Sequence, residues 1–148
     1  MKKYTFNATA LRLGFRSGLE AQAAQELKTA KVTYEYEAKD KKLAYTKPSS
    51  KHKYNPDFSF PDSNIIIETK GIFSSADRAK MLLVRDQHPE VSIRFVFSNM
   101  NARIGKKSKT TYAKWCELKG FKYHCVYSTK KLLPDNWVKE IQQQQKKL

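Results

Sequence analysis

The sequence encodes an α/β domain built on a small mixed sheet, and three stretches carry that inference. Tyr54 to Phe60 and Ile65 to Lys70 read as two β-runs joined by Pro61-Asp62-Ser63-Asn64, a hairpin loop by composition. A helix follows, capped by Ser74 or Ser75, with Ala79, Leu82 and Leu83 on one face and a stop before Pro89. Val91 to Phe97 is then strongly β-prone. An antiparallel hairpin followed by strand, helix and strand implies a right-handed crossover with the last two strands parallel.

The remaining elements fit around that unit. Met1 to Gly14 holds three basic side chains, Lys2, Lys3 and Arg12, and little apolar periodicity, which predicts a mobile basic arm. Ser17-Gly18-Leu19-Glu20 has the pattern of a capping box. Leu19, Ala23, Ala24 and Leu27 continue it as an amphipathic helix to about Ala30. Val32, Tyr34 and Tyr36 alternate with Thr33, Glu35 and Glu37, as in a strand with one polar face. Residues 39 to 53 are polar and interrupted by Pro48; with only Leu43 to Thr46 able to order, they read as a connector. Asn99 to Lys109 is a basic loop, Tyr112 to Lys119 a short helix ending at Gly120, and Phe121 to Tyr127 a last strand. The domain is expected to span residues 15 to 140, with a frayed Gln- and Lys-rich tail over 141 to 148.

Composition narrows the function. A chain of 148 residues with 40% hydrophobic content can bury a core, so its charge does not signal a disordered tail. Its 29 Lys and Arg against 14 Asp and Glu leave a formal charge of +15, for which a polyanion is the usual partner. No apolar run approaches the roughly 18 residues of a membrane span. Lys2 and Lys3 are not followed by the continuous apolar stretch of a signal peptide. The reading is therefore a cytoplasmic protein that binds nucleic acid, not membrane. Cys116 and Cys125 lack ligand spacing and are expected reduced and buried.

The hairpin holds the chemistry. With residues 61 to 64 as the loop, Phe60 faces Ile65 and Asp57 faces Glu68 on the same side. Like charges directly opposed destabilise a sheet unless something lies between them. Lys70, two residues beyond Glu68, projects from that face as well. Two carboxylates beside one ammonium make a hard-oxygen site of the kind Mg²⁺ prefers. A solvated charge network fits the spacing equally well. Against it stand Pro56 before the aspartate, the triple isoleucine of a buried strand, and Gly71 at its end. Pro56-Asp57 and Glu68-Thr69-Lys70, eleven positions apart from acid to acid, spell a Pro-Asp…Glu-x-Lys signature of moderate specificity.

Beyond the hairpin, Phe15-Arg16-Ser17-Gly18-Leu19-Glu20, Tyr34-Glu35-Tyr36-Glu37, Tyr54-Asn55-Pro56-Asp57-Phe58 and Glu68-Thr69-Lys70-Gly71 resemble the phage endonuclease I family. Arg85-Asp86-Gln87-His88-Pro89-Glu90 and Arg94-Phe95-Val96-Phe97-Ser98 extend the resemblance, which runs from about Phe15 to Trp137. Residues 39 to 53 diverge in wording. The resemblance implies a restriction-endonuclease-like fold, an intertwined homodimer with the connector crossing to the partner, and resolution of Holliday and other branched DNA junctions. It implies one metal held by Asp57, Glu68 and the Thr69 carbonyl, a second shared by Glu20 and Asp57, and Lys70 orienting or deprotonating the attacking water. The cofactor would be Mg²⁺, with Mn²⁺ able to substitute and two ions per site, and the products would carry 5′-phosphate and 3′-hydroxyl ends.

Other residues read less sharply. Glu20 would serve a capping box in any case, and the resemblance is what makes it catalytic. Glu35 is a site neighbour on the polar face of its strand. Arg16, Lys51, His52, Lys53, Lys106, Lys107 and Lys109 are the candidates for DNA contact, each as readily a solvated side chain. Two other functions compete: a repair or restriction-type endonuclease acting on linear duplex, and a non-catalytic binder of bent or branched DNA. The first usually needs recognition domains that 148 residues hardly accommodate. The second leaves adjacent carboxylates unexplained.

Overall fold

The computed structural model describes residues 14–47 and 50–147, so the N-terminal arm expected before Gly14 lies outside the described residues, as does Pro48. The chain forms helix α1 (Gly18–Thr29), strand β1 (Glu35–Tyr36), a 3₁₀ turn (Lys39–Lys41), and strands β2 (Leu43–Lys47), β3 (Ser50–Tyr54), β4 (Phe58–Ser59) and β5 (Ile65–Lys70). Helix α2 (Ser75–Gln87), β6 (Ser92–Phe97), α3 (Tyr112–Lys119), β7 (Lys122–Cys125), α4 (Val126–Thr129) and α5 (Asp135–Lys146) follow. The main sheet has the order β1-β4-β5-β6-β7, and β2-β3 is a separate hairpin. β4 and β5 are antiparallel, whereas β5-β6 and β6-β7 are parallel, which makes the expected mixed sheet.

The central hairpin takes the anticipated register: Phe58 faces Ile67 and Ser59 faces Ile66. Its first strand is shorter than expected. Asn55-Pro56 breaks the run from Tyr54 to Phe60, because proline has no N–H for a ladder, so β3 and β4 belong to different sheets. Alternation along β5 feeds both faces. Ile65 and Ile67 join Leu19, Ala23, Leu27, Phe58, Trp137 and Ile141 on one side. Ile66 joins Met81, Val84, Ile93, Phe95 and Trp115 on the other. Layers on both faces explain the unbroken apolar run.

Several elements depart from the sequence reading. The strand over Val32 to Tyr36 shrinks to two residues: Val32 turns its amide back to Leu27, and Glu37 adopts φ +46, which ends the strand. The connector is an ordered hairpin in which Tyr45 stacks on His52 across the strands. Helix α2 buries Met81 and Val84, with Leu82 and Leu83 half-buried and Ala79 exposed. The last strand stops at Cys125 and turns helical.

The tail expected to fray beyond Ile141 is instead helical through Lys146. Its glutamines bond outward. Gln142 donates to the Ala30 carbonyl and Gln145 to that of Thr33, while Gln144 accepts from the Asn64 amide and donates to its side chain. Ile141 is fully buried, and Arg94, 1% exposed, makes a fork of two 2.8 Å bonds with Glu140. No helix among the described residues is long and apolar enough to cross a membrane. Both cysteines are free and buried.

Candidate active site

Two strand ends and one helix start supply the acidic groups. Asp57 follows Pro56 at the entry to β4, and Glu68 to Lys70 complete β5. The two segments are cross-tied. The Asp57 amide donates to Glu68 Oε1 at 2.7 Å, and the Thr69 amide and hydroxyl donate to Asp57 Oδ2 at 3.0 and 3.1 Å. Each carboxylate is therefore aimed by the backbone of the opposing segment. Glu68 is 4% exposed, and burial pushes its carboxyl upward although Lys70 opposes the shift. Burial, reinforced by the charges of Glu68 and Glu20 and opposed by the Thr69 bonds, pushes Asp57 up to about 8.

Two buried carboxylates this close raise each other's proton affinity, and a cation between them reverses that effect. Among the described residues no three His, Cys, Asp or Glu side chains converge as a complete ligand set. Two carboxylates do suit Mg²⁺, which keeps several waters and shares the rest of its shell with phosphates. Asp57 and Glu68 thus suit such an ion. Lys70 Nζ stands 3.8 Å from Glu68 Oε2 and 3.5 Å from Asp77 Oδ1, half-buried between two acids.

Glu20 sits one layer back. Ser17 caps α1 by accepting from the Glu20 amide at 3.2 Å. The reciprocal half of the expected capping box does not form. Glu20 Oε2 instead accepts from the Arg16 amide at 3.0 Å and from the Tyr36 hydroxyl. It acts on Asp57 through its charge. Glu35 pairs with Ser59, which by strand alternation places it on the Glu68 face. Its Oε2 is buried without a partner, and among the described residues no hydrogen bond joins it to Asp57 or Glu68.

The basic candidates lie on three separate parts of the chain. Arg16 pairs with Glu37 at 2.9 Å, its guanidinium still largely exposed. Lys51 and Lys53 project from the face of β3 opposite Tyr54 and are exposed, and His52 is tied to Ser50. Lys106, Lys107 and Lys109 are exposed on the loop closed by the Arg103–Thr111 bridge. Tyr112, Trp115 and Phe121 are core.

Three neighbours of the site went unread in the sequence. Tyr36 holds Glu20. Asp77 completes a reciprocal capping box with Ser74 while facing Lys70, and the Ser-x-x-Asp spacing could have shown the first role. Tyr54 is 4% exposed and feels the charges of Glu68, Asp57 and Asp77; its hydroxyl interacts with Glu68 without a well-formed hydrogen bond. Burial, more than those charges, holds it protonated.

Comparison with known proteins shows the family. The model of the family described as phage endonuclease I matches residues 1–147. The chain is 44% identical over 126 residues to Endonuclease I of Escherichia phage T7, covering 85% of this chain and 79% of that one. It is 43% identical over 126 residues to Endodeoxyribonuclease 1 of Enterobacteria phage T3, covering 85% and 78%. With its buried acid pair on a Pro-Asp…Glu-x-Lys hairpin and a match along nearly its whole length, the chain belongs to the phage endonuclease I family.

Proposed function

We propose that this protein is a Mg²⁺-dependent endodeoxyribonuclease that resolves four-way and other branched DNA junctions, leaving 5′-phosphate and 3′-hydroxyl ends. The observation that carries the reading is the buried Asp57–Glu68 pair beside Lys70. Asp57, Glu68 and the Thr69 carbonyl would hold one ion, and Glu20 with Asp57 a second. Such ions lower the pKa of water and stabilise charge on attacking and leaving oxygens. The chain's own contribution is placement. Cross-tied backbone amides fix both carboxylates, and Lys70 Nζ offers a donor that orients the nucleophile or takes part in its deprotonation. Tyr36 and the Arg16 amide hold Glu20 toward Asp57. Glu35 serves as a neighbour on the same face.

The excess of positive charge supports DNA as the partner. The working form is proposed to be a homodimer in which exchange through the connector, residues 39–53, supplies Glu20 to the partner's acids. A swapped pair would rebuild, between chains, the contacts that one chain makes here.

The test uses a four-way junction and a sequence-matched linear duplex, with and without Mg²⁺. Cleavage of the junction alone, only with metal, supports the reading. Equal cleavage of both substrates points to a general duplex nuclease, and binding without cleavage to an architectural protein. Asp57→Ala and Glu68→Ala should each abolish cleavage while binding is retained or tightened, since a repulsive charge near phosphate is removed. Gel-shift and cleavage assays run in parallel check this, and persistent cutting by either variant in Mg²⁺ would sink the assignment.

A further inference from the structure

We infer that Tyr54 is a positioning residue for the metal site, its hydroxyl orienting Glu68 once a cation is bound. The inference rests on the metal reading above and adds a residue to it. Tyr54 ends β3 and packs in the same cluster as Phe73 and Ile66, the latter on the face of β5 that also bears Glu68. The ring is fixed: it is 4% exposed, and Lys80 Nζ lies 5.4 Å from its centroid. At neutral pH a tyrosine hydroxyl donates readily. Here three carboxylates act on it, and Glu68 lies close enough to interact with the hydroxyl as an acceptor, but no well-formed hydrogen bond is made.

A buried donor without a well-formed bond is a standing cost to the fold, which a second state that completes the bond removes. Glu68 is the acceptor within reach. Its Oε1 is engaged by the Asp57 amide, and its Oε2 looks to Lys70 at 3.8 Å, too far for a firm bond. A small rotation of this carboxylate toward a cation would bring an oxygen to the tyrosine. The Tyr54 bond then fixes which Glu68 oxygen faces the ion, as outer partners do for metal-bound carboxylates. It also couples the β2-β3 hairpin to the centre, because Tyr54 is the last residue of that hairpin.

Tyr54→Phe tests this, since it removes one oxygen and keeps the packed ring. Thermal unfolding of the full chain is followed while Ca²⁺ or Mg²⁺ is titrated in the absence of DNA, and junction cleavage is followed against Mg²⁺ separately. The variant should be as stable as wild type without metal, or slightly more so, because the poorly bonded donor is gone. Its metal-induced rise in Tm should shrink, with about 10–100-fold more metal needed for half the effect. Cleavage should show the same displacement in Mg²⁺ requirement at unchanged junction affinity. A merely structural tyrosine predicts the opposite pattern: lower metal-free Tm and an undiminished metal increment, which overturns the inference. If wild type itself shows no metal-induced rise, the metal reading fails and takes this role with it. A wild-type rise that Tyr54→Phe leaves intact removes the tyrosine role alone.

Discussion

Asp57 holds its proton in the metal-free fold far more tightly than an unfolded chain would, with a pKa near 8 against the ordinary 3.8. The direction of the pH effect follows. A carboxyl raised on folding means that the native state binds more protons, so stability declines as pH climbs from about 4 to about 8 and is unaffected by this group below that window. Asp57→Asn removes the liability. The variant should match wild type near pH 4 and exceed it by several degrees in Tm at pH 8.5, both without metal. Melting curves across that range check the sign, and a constant offset at all pH values would show that Asp57 titrates normally. Divalent metal should likewise raise wild-type Tm more at pH 8.5 than at pH 6, where it must first displace a proton.

At the scale of elements, the C-terminal helix makes the sharpest prediction. Read from sequence, residues 141 to 148 are a frayed tail; read from the fold, Ile141 is core, Gln142 and Gln145 tie α5 to the chain just after α1, and Gln144 ties it to the β4-β5 loop. Truncation after Glu140 should lower Tm by at least 5 °C, since a buried isoleucine alone is worth about 2–5 kcal/mol when cut back. Gln144→Ala should cost about 1 kcal/mol in urea unfolding.

The same helix shows why legibility was uneven. Register, crossover and the acid pair could be read because each rests on local alternation or a short loop, as in Ile65-Ile66-Ile67 against Phe58-Ser59. The glutamine run could not, because its partners Ala30, Thr33 and Asn64 are remote in the chain. Nor could the β2-β3 hairpin, whose polar outer face of Lys51 and Lys53 hides the inward Tyr45 and Tyr54. Glu20 was legible as a cap but not as a ligand of Tyr36, sixteen residues away.

The molecule as a whole is a basic particle around an acidic centre. Junction affinity should fall steeply with salt, log K dropping by about 0.9 per phosphate neutralised if duplex values hold. Charge reads any DNA, so preference for the junction at about 0.15 M salt, where loose contacts are screened, must come from shape; equal affinity there for duplex would mark a generic binder. The proposed dimer has its own test. A heterodimer of one Glu20→Ala chain and one Asp57→Ala chain, co-expressed with two tags, has one intact site if sites are composite. It should nick a supercoiled cruciform at about half the wild-type rate without linearising it in one encounter. A dead heterodimer would mean that each chain builds its own site.

The crossed bonds between the two acidic segments bear on how inactive variants are to be interpreted. Asp57 Oδ2 steadies the Thr69 backbone, and Glu68 Oε1 steadies the Asp57 backbone. The two behave as a latch with two tongues: withdrawing either releases the main chain beneath the other. Neither acid's kinetic loss is then its private contribution, and the double variant Asp57→Ala/Glu68→Ala should bind metal no worse than either single one. Hydrogen exchange offers a direct view. Cutting back Glu68 should quicken exchange at the Asp57 amide, and cutting back Asp57 should do the same at Thr69, so the wound of each substitution shows on the opposite strand.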